Sequence, residues 1–189
     1  VARHSHAMTG IRYHKKTSRY SKVSDTGTRV AIGADHGGFR LKAKLVALLR
    51  AKGLEVADLG THAPAPCDYP AIGYKVAAAV ARGAFDRGIL LCKSGIGIAI
   101  VANKVPGVRA AVCGDPFDAE HSRRHNDANV LVLGAEKLSE AKARRLTALW
   151  LATPFESGGR HERRVKQITA IERAVVQRKP PRHAAAARR

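Results

Sequence analysis

Cysteine, aromatic side chains and acidic residues are all scarce in this chain, and it has no long apolar run. The three cysteines, Cys67, Cys92 and Cys113, form an odd set at spacings that match no zinc-binding template and no disulfide framework. The apolar stretch of about 20 residues that a membrane-spanning helix needs does not occur, and no signal-peptide pattern is visible. We therefore expect a cytoplasmic protein whose thiols stay reduced.

Acidic residues number 15 against 34 lysines and arginines, so the chain carries a net charge of +19. Residues 1–28 carry +5, residues 173–189 carry +6, and the body between them holds the remaining +8. Both ends have little apolar content, and we expect basic, flexible extensions there. Met8 is the only methionine, which makes residues 1–7 a candidate remnant ahead of the native start. A body charge of +8 suits an anionic substrate and also loose contact with nucleic acid.

The body alternates short apolar runs with amphipathic stretches. Runs of strand type occupy residues 30–34, 54–59, 86–92, 108–113 and 129–133. Apolar residues at helical spacing predict helices that begin near residues 39, 70, 98, 116, 139 and 161. Strands that alternate with helices form a parallel sheet covered on both faces. We predict one α/β domain, a three-layer sandwich with a five-stranded parallel sheet and helices on both faces.

The stretch over residues 88–103 organises the predicted sheet. An apolar strand ends at Cys92, a short turn follows it, and a helical pattern of small residues comes next. In an open α/β sheet, ligands bind at the carboxyl ends of the strands, where the next helix presents free N–H groups. Gly95 and Gly97 let backbone amides approach a ligand closely. Such surroundings favour a thiolate and make Cys92 a candidate reactive group.

A structural interpretation of the same stretch stays open. Cysteine is among the residues most often buried, and a cysteine at the end of a strand is often only a small hydrophobic residue. The Gly-x-Gly pattern also lacks the third glycine of the dinucleotide-binding fingerprint. The functional interpretation of Cys92 therefore depends on what else lies near it.

Polar side chains recur in three other loops. They are Asp35 and His36 after the first strand, residues 123–127 before the fifth strand, and the arginines Arg160, Arg163 and Arg164 near the last helix. Taken singly, Asp35 suits a helix cap, His36 a satisfied loop histidine, and the arginines a solvated face. We expect these loops to converge with the Cys92 turn at one edge of the sheet, which favours a shared functional site.

Six motifs in order give the chain a specific resemblance. They are Ala34-Asp-His-Gly-Gly-Phe39, Cys67-Asp-Tyr-Pro70, Cys92-Lys-Ser-Gly-Ile-Gly97, Ala102-Asn-Lys104, Ser122-Arg-Arg-His-Asn-Asp127 and Gly158-Gly-Arg-His-Glu-Arg-Arg-Val165. With them the chain resembles the type B ribose-5-phosphate isomerases, the family that also includes the galactose-6-phosphate isomerase subunits. The resemblance covers residues 29–172 and implies a Rossmann-like sugar-phosphate isomerase domain. It also implies a homodimer or a dimer of dimers in which each site draws on two subunits.

The resemblance implies a catalytic role for four side chains. Cys92 matches the general base that moves a proton between C1 and C2 of the open-chain sugar, and Ser94 orients that base or a substrate hydroxyl. The backbone amides of Gly95, Ile96 and Gly97 match the group that holds the enediolate oxygen. His125, together with Asp35, matches the residues that open the furanose ring. No cofactor and no metal are implied.

The resemblance implies a second set of residues that bind the substrate. His36, Arg160 and Arg164 match phosphate ligands, and arginine suits that role because its planar guanidinium bonds two oxygens at once. Asn126 matches a residue that binds sugar hydroxyls, and Tyr69 lines the pocket. The expected partner is a small anionic sugar phosphate, with no membrane involved.

One departure from the family pattern bears on the substrate. Lys93 stands where the family usually has glycine, and a long cation beside the base could contact a second anionic group. Ribose 5-phosphate is therefore the leading candidate, and tetrose phosphates, hexose phosphates and uronates are alternatives. A non-catalytic nucleic-acid-binding protein is less favoured, because the basic ends lack interleaved aromatic residues and the body lacks a recognition-helix motif.

Overall fold

The computed structural model describes residues 27–177, which form five strands and six helices in alternation. The strands are β1 (Arg29–Ala34), β2 (Glu55–Asp58), β3 (Arg87–Cys92), β4 (Ala110–Val112) and β5 (Val130–Gly134). The helices are α1 (Phe39–Ala51), α2 (Tyr69–Ala81), α3 (Ile96–Ala102), α4 (Pro116–Arg124), α5 (Glu140–Ala152) and α6 (Arg160–Gln177). Nearly all of the predicted N-terminal extension and most of the predicted basic tail lie outside the described residues.

All five strands are parallel, in the order β2-β1-β3-β5-β4. The predicted Rossmann-like α/β sandwich with a five-stranded parallel sheet is therefore confirmed. The inner strands β1, β3 and β5 are buried along almost their whole length, with Ile32, Ile89 and Leu131 in one register across the sheet. Burial on both faces explains why these strands are continuous apolar runs and not alternating ones.

Two apolar layers enclose the sheet. One layer packs α1 and α5 against it, with Leu45, Leu146 and the fully buried Trp150 in contact with the strands. The other packs α2 and α3 against the opposite face through Val76 and Ile98. Within the described part of the chain, α6 buries only His161 and lies at the periphery. None of the helices in residues 27–177 is long and apolar enough to cross a membrane.

Local signals in the sequence begin and end several helices as predicted. Asp115 caps α4 by accepting a hydrogen bond from the Asp118 amide at 2.9 Å. Pro70 lies in the first turn of α2, and Gly53 follows α1 with a φ of +80°, which glycine adopts without steric cost. Strand β4 is shorter than the predicted 108–113, because the Arg109 amide leaves the ladder and donates to the Asn129 side chain.

Candidate active site

Cys92 is the last residue of β3, and its side chain is only 5% exposed. The backbone N–H of Gly95 donates to its Sγ atom at 3.1 Å. Gly95 reaches this position with a φ of +81°, and a Cβ atom there would come within 3.2 Å of the Gly134 amide nitrogen. The turn after β3 therefore directs a backbone N–H at the Cys92 sulfur and holds that atom in a fixed position.

Two further contacts hold the turn that follows Cys92. The Ser94 hydroxyl oxygen accepts a hydrogen bond from the Ile96 amide at 3.2 Å. The ring of Tyr69 fills the space beside Gly97, where a Cβ atom would lie 2.7 Å from the ring. Tyr69 therefore lies against Gly97, one of the residues whose amides the resemblance assigns to the enediolate oxygen. Glycine at position 97 is required for this close contact.

Asp35 and His36 follow β1, the strand beside β3. The Asp35 carboxylate is 5% exposed and accepts a hydrogen bond from the Gly38 amide at 3.0 Å, while its own amide donates to the Leu91 carbonyl. The ring of His36 contacts Cys67, with Nδ1 3.2 Å from the carbonyl oxygen and 3.3 Å from the amide nitrogen. These contacts join the first-strand loop to the end of β3 through Leu91 and to the loop before α2 through Cys67.

Lys93 covers part of this loop. Its stem lies against Gly37, where a Cβ atom would come within 2.5 Å of the Lys93 Cγ atom. Its ammonium group is 3.7 Å from the Glu136 carboxylate, and the Lys93 side chain is 59% exposed. An ion pair at that distance between exposed groups is weak. The ammonium group therefore remains available at the mouth of the site.

A second group of predicted residues surrounds His125, just after α4. The rings of His125 and His161 stack with centroids 3.9 Å apart, and His121 meets His125 edge-on. The Nε atom of Arg160 donates to His161 at 3.3 Å. Burial, followed by the charges of His161 and His121, lowers the pKa of His125. Its imidazole is therefore neutral at pH 7.

The sequence did not identify His121 and His161 as members of this group. The spacing of four residues between His121 and His125 on one helix was an available signal, because such residues share a helix face. No local pattern could have shown that α6 brings His161 onto the His125 ring. Asn126 is exposed, and its carbonyl accepts a hydrogen bond from Arg109 at 3.0 Å, while Arg164 is exposed on α6.

The two groups lie at opposite edges of the sheet. Cys92 ends β3, whereas Arg87 begins it and is an electrostatic neighbour of Arg123 and Asp127. Five residue steps along a strand span roughly 16 Å. The expectation that all the polar loops converge at one edge within a single chain is therefore wrong for His125 and its neighbours. The reason is that α4 runs back against the strands, so its last residues lie beside the strand beginnings.

Three side chains in the second group have the donor types of a metal site. The ligand atoms of His125, Glu156 and His161 all lie within 4.8 Å of one another. Their arrangement fits a metal poorly, because the two rings are inclined by only 5° and cannot both direct a lone pair at one ion. Glu156 is also paired with Arg124 at 3.1 Å, which places a cation beside the cluster.

Comparisons with known proteins agree with this geometry. The sequence model of the ribose/galactose isomerase family matches residues 30–168. Ribose-5-phosphate isomerase B of Escherichia coli is 48% identical over 144 residues, which cover 76% of this chain and 96% of that protein. D-erythrulose-4-phosphate isomerase of Pectobacterium atrosepticum is 42% identical over 69% of this chain and 86% of its own length.

A solved structure extends the similarity to three dimensions. Ribose-5-phosphate isomerase B of Clostridium thermocellum superposes with a TM-score of 0.77 at 47% sequence identity. The match covers 78% of this chain and 99% of that one. With the family model matched over most of the described residues, the chain belongs to the ribose/galactose isomerase family.

Proposed function

We propose that the protein interconverts ribose 5-phosphate and ribulose 5-phosphate, or a closely related aldose and ketose phosphate, with Cys92 as the general base. The observation that carries this proposal is the buried Cys92 thiol at the end of β3, with the Gly95 N–H directed at its sulfur at 3.1 Å. The names of the relatives from E. coli and C. thermocellum support ribose 5-phosphate as the substrate.

The proposed chemistry moves one hydrogen between neighbouring carbons. The Cys92 thiolate takes the proton from C2 of the open-chain aldose, and the electrons of that bond form the carbon–carbon double bond of an enediolate. The negative charge develops on the C1 oxygen, which then gains a proton, while the C2 hydroxyl gives one up. The thiol returns its proton to C1, and the ketose forms. Hydrogen stays within the substrate, so the reaction needs no redox cofactor.

The turn after β3 supplies the groups that this chemistry needs. The Gly95 amide lies next to the sulfur, and we assign the backbone amides of residues 95–97 to stabilisation of the enediolate oxygen. Hydrogen-bond donors that are fixed where negative charge develops stabilise that charge most strongly in a site that excludes water. The Ser94 hydroxyl lies beside the same turn and can orient either the base or a substrate hydroxyl. Tyr69 covers Gly97, and we assign its ring to the wall of the substrate pocket.

The remaining roles belong to residues at the far edge of the sheet, which supports a site built from two subunits. In this assignment one subunit supplies Cys92, Asp35 and His36, and its partner supplies a second set made up of His125, Asn126, Arg160 and Arg164. The neutral imidazole of His125 can take or give a proton during ring opening, together with Asp35. The arginines and His36 bind the phosphate.

Exposed apolar side chains support a homodimer or a dimer of dimers. Ile96 and Ile100 on α3 and Val112 on β4 are each about half exposed and lie beside one hollow next to the Cys92 turn. On α6, Ile171, Val175 and other apolar residues line a groove of about 600 Å³ that does not include Cys92.

All three cysteines are free, which supports a reducing compartment, the cytoplasm.

The decisive experiment compares two cysteine variants. Cys92→Ala should abolish direct interconversion of ribose 5-phosphate and ribulose 5-phosphate, because it removes the base. Cys67→Ala is the matched control, since that free thiol lies in the neighbouring loop and has no proposed proton-transfer role. Undiminished turnover by folded Cys92→Ala would remove the thiol from the mechanism.

A tetrose phosphate is the second candidate substrate. The observation that favours it is the Lys93 ammonium group at the mouth of the site, which could hold the phosphate of a shorter sugar. The relative from P. atrosepticum carries the name of a tetrose-phosphate isomerase. Measuring kcat/KM on pentose, tetrose and hexose phosphates with one coupled assay separates these candidates. If the substrate is a uronate or an unphosphorylated sugar, the Arg160→Ala and Arg164→Ala variants should instead leave its KM unchanged.

A further inference from the structure

Three arginines meet at the amino-terminal edge of the sheet, around the carboxylate of Asp127. Arg109 and Arg123 each donate to that carboxylate at 2.8 Å, one to each oxygen. Arg87, the first residue of β3, is an electrostatic neighbour of both arginines. The loop before β4, the end of α4 and the start of β3 therefore bring three guanidinium groups to one place.

The positive charge of this cluster is incompletely balanced. Asp127 is shared by Arg109 and Arg123, and the neighbouring Asp86 carboxylate is bonded by Arg29 at 2.9 to 3.2 Å. Burial, and then the charge of Arg123, lowers the pKa of Arg87 to about 10, so Arg87 stays charged at pH 7. Three cations and one carboxylate leave an excess of two positive charges in a partly buried place.

Hydrogen-bond donors are also left over. Within residues 27–177, the buried Nε atoms of Arg87 and Arg123 have no hydrogen-bond partner, although the Arg123 side chain is only 3% exposed. A buried guanidinium with an unpaired donor is costly unless a counter-ion or another acceptor completes it. Arg109 and Asp127 are about one-fifth exposed, so solvent reaches the cluster from one side.

We propose that Arg87, Arg109 and Arg123 form a binding site for a small tetrahedral oxyanion, a free phosphate or the phosphate group of a metabolite. Arginine forks match the oxygen pairs of such a group. The site lies at the end of the sheet opposite Cys92 in the same chain. It does not depend on the isomerase chemistry proposed above, and no residue is shared with it.

Arg87 distinguishes an anion-binding site from a cluster of ion pairs that only stabilises a loop. Arg109 and Arg123 also bond the carbonyls of Asp127 and Ala128, which fixes the loop before β5. Within residues 27–177, the Arg87 guanidinium bonds the carbonyl of its neighbour Asp86 and makes no bond to that loop. A purely structural cluster has no use for this third cation. The anion explains it, because two positive charges in excess attract a dianion.

Calorimetric titration with inorganic phosphate tests the proposal on the full chain. Arg160→Ala/Arg164→Ala is the background, because it removes the two arginines proposed to bind the substrate phosphate and so weakens that site before the new one is measured. In that background Arg87→Gln should weaken phosphate binding at least tenfold. Arg144→Gln, which removes an exposed arginine of α5, is the matched control and should change the affinity less than twofold.

Two results would overturn the proposal. One is the absence of phosphate binding in the double-variant background, and the other is binding that Arg87→Gln leaves unchanged. If Arg87→Gln does not fold, Arg87→Lys keeps the charge and removes the planar fork, and it should still weaken binding severalfold.

Titration with glycerol 3-phosphate separates the two sources, since comparable affinity indicates a phosphate ester and much weaker binding indicates the free anion. Turnover by the Cys92→Ala variant tests the isomerase proposal separately.

Discussion

The ring of His125 lies flat against the ring of His161, with centroids 3.9 Å apart and planes inclined by 5°. This contact joins the end of α4 to the beginning of α6, two segments separated by the whole of β5 and α5. It brings Arg160 onto the same surface through its hydrogen bond to His161. His125 and Arg160, which we propose for ring opening and phosphate binding, therefore belong to one group of side chains, and that group lies away from Cys92 of the same chain.

The separation of the two units predicts complementation between inactive variants. Cys92→Ala and Arg160→Ala/Arg164→Ala should each be nearly inactive alone. After mixing and subunit exchange, hybrid dimers contain one intact site, so activity should recover to about a quarter of the wild-type value if pairing is random. Activity is followed by direct formation of ribulose 5-phosphate. Mixtures that stay inactive despite proven subunit exchange would place each site within one chain.

Gly95→Ala should reduce kcat by about 10²–10³, the usual loss when one oxyanion donor is removed. A Cβ atom at this φ of +81° is strained and would also meet the Gly134 amide nitrogen at 3.2 Å, which displaces the N–H from Cys92. Gly53→Ala is the matched control, because Gly53 has a φ of +80° and no neighbour within 4 Å. Both variants are measured by steady-state kinetics and by Tm. Equal kcat values for the two variants would contradict a role for the Gly95 amide.

The lowered pKa of His125 predicts a pH dependence of stability. The folded protein holds this imidazole neutral, whereas the unfolded chain protonates it below about pH 6.5. Stability from this group is therefore complete above pH 6.5 and is lost as the pH falls toward the folded pKa. His125→Gln should flatten that acid decline in Tm. His62→Gln, at a well-exposed histidine, should keep the wild-type slope.

Lys93→Gly should change the substrate preference more than the rate on the best substrate. Removing the ammonium group takes away a cation from the mouth of the site, so kcat/KM for tetrose phosphates should fall relative to pentose phosphates by several-fold. Glu136→Gln removes the weak partner of Lys93 and serves as the control. A preference that is the same in Lys93→Gly and in the wild type would remove Lys93 from substrate selection.

Lys42→Met should destabilise the fold by about 3 kcal/mol, the cost of leaving one partner of a buried ion pair alone. The Lys42 side chain is 1% exposed and bonds both oxygens of Asp58 and the Thr61 carbonyl. Urea unfolding gives the change in free energy. Lys44→Met, on the exposed side of α1, should change it by less than 0.5 kcal/mol. Equal midpoints for the two variants would contradict the structural role of Lys42.

Most of the fold was predictable because its strands are buried on both faces. Continuous apolar runs marked β1, β3 and β5, and capping residues such as Asp115 marked helix starts. The errors lie where side chains replace backbone pairing, as at β4, where Arg109 bonds Asn129. The periodicity of apolar residues does not show where a side chain replaces a backbone hydrogen bond.

The residue types of the candidate site were also predictable, but their grouping was not. The turn after β3 could be identified from Cys92 and the two glycines that follow it. The placement of His125 depends on the direction of α4, and that of Arg160 depends on how α6 docks through His161. Both are consequences of tertiary packing, and neither leaves a periodic signal in the chain.

The two edges of the sheet are formed by short strands, β4 with three residues and β2 with four. So few unpaired backbone groups offer little for another chain's strand to pair with, and short edges of this kind limit uncontrolled stacking. Self-association of this protein must then be specified by side chains, which recognise one geometry and reject others. If the active site is built from two subunits, as proposed above, catalysis gains from that selectivity.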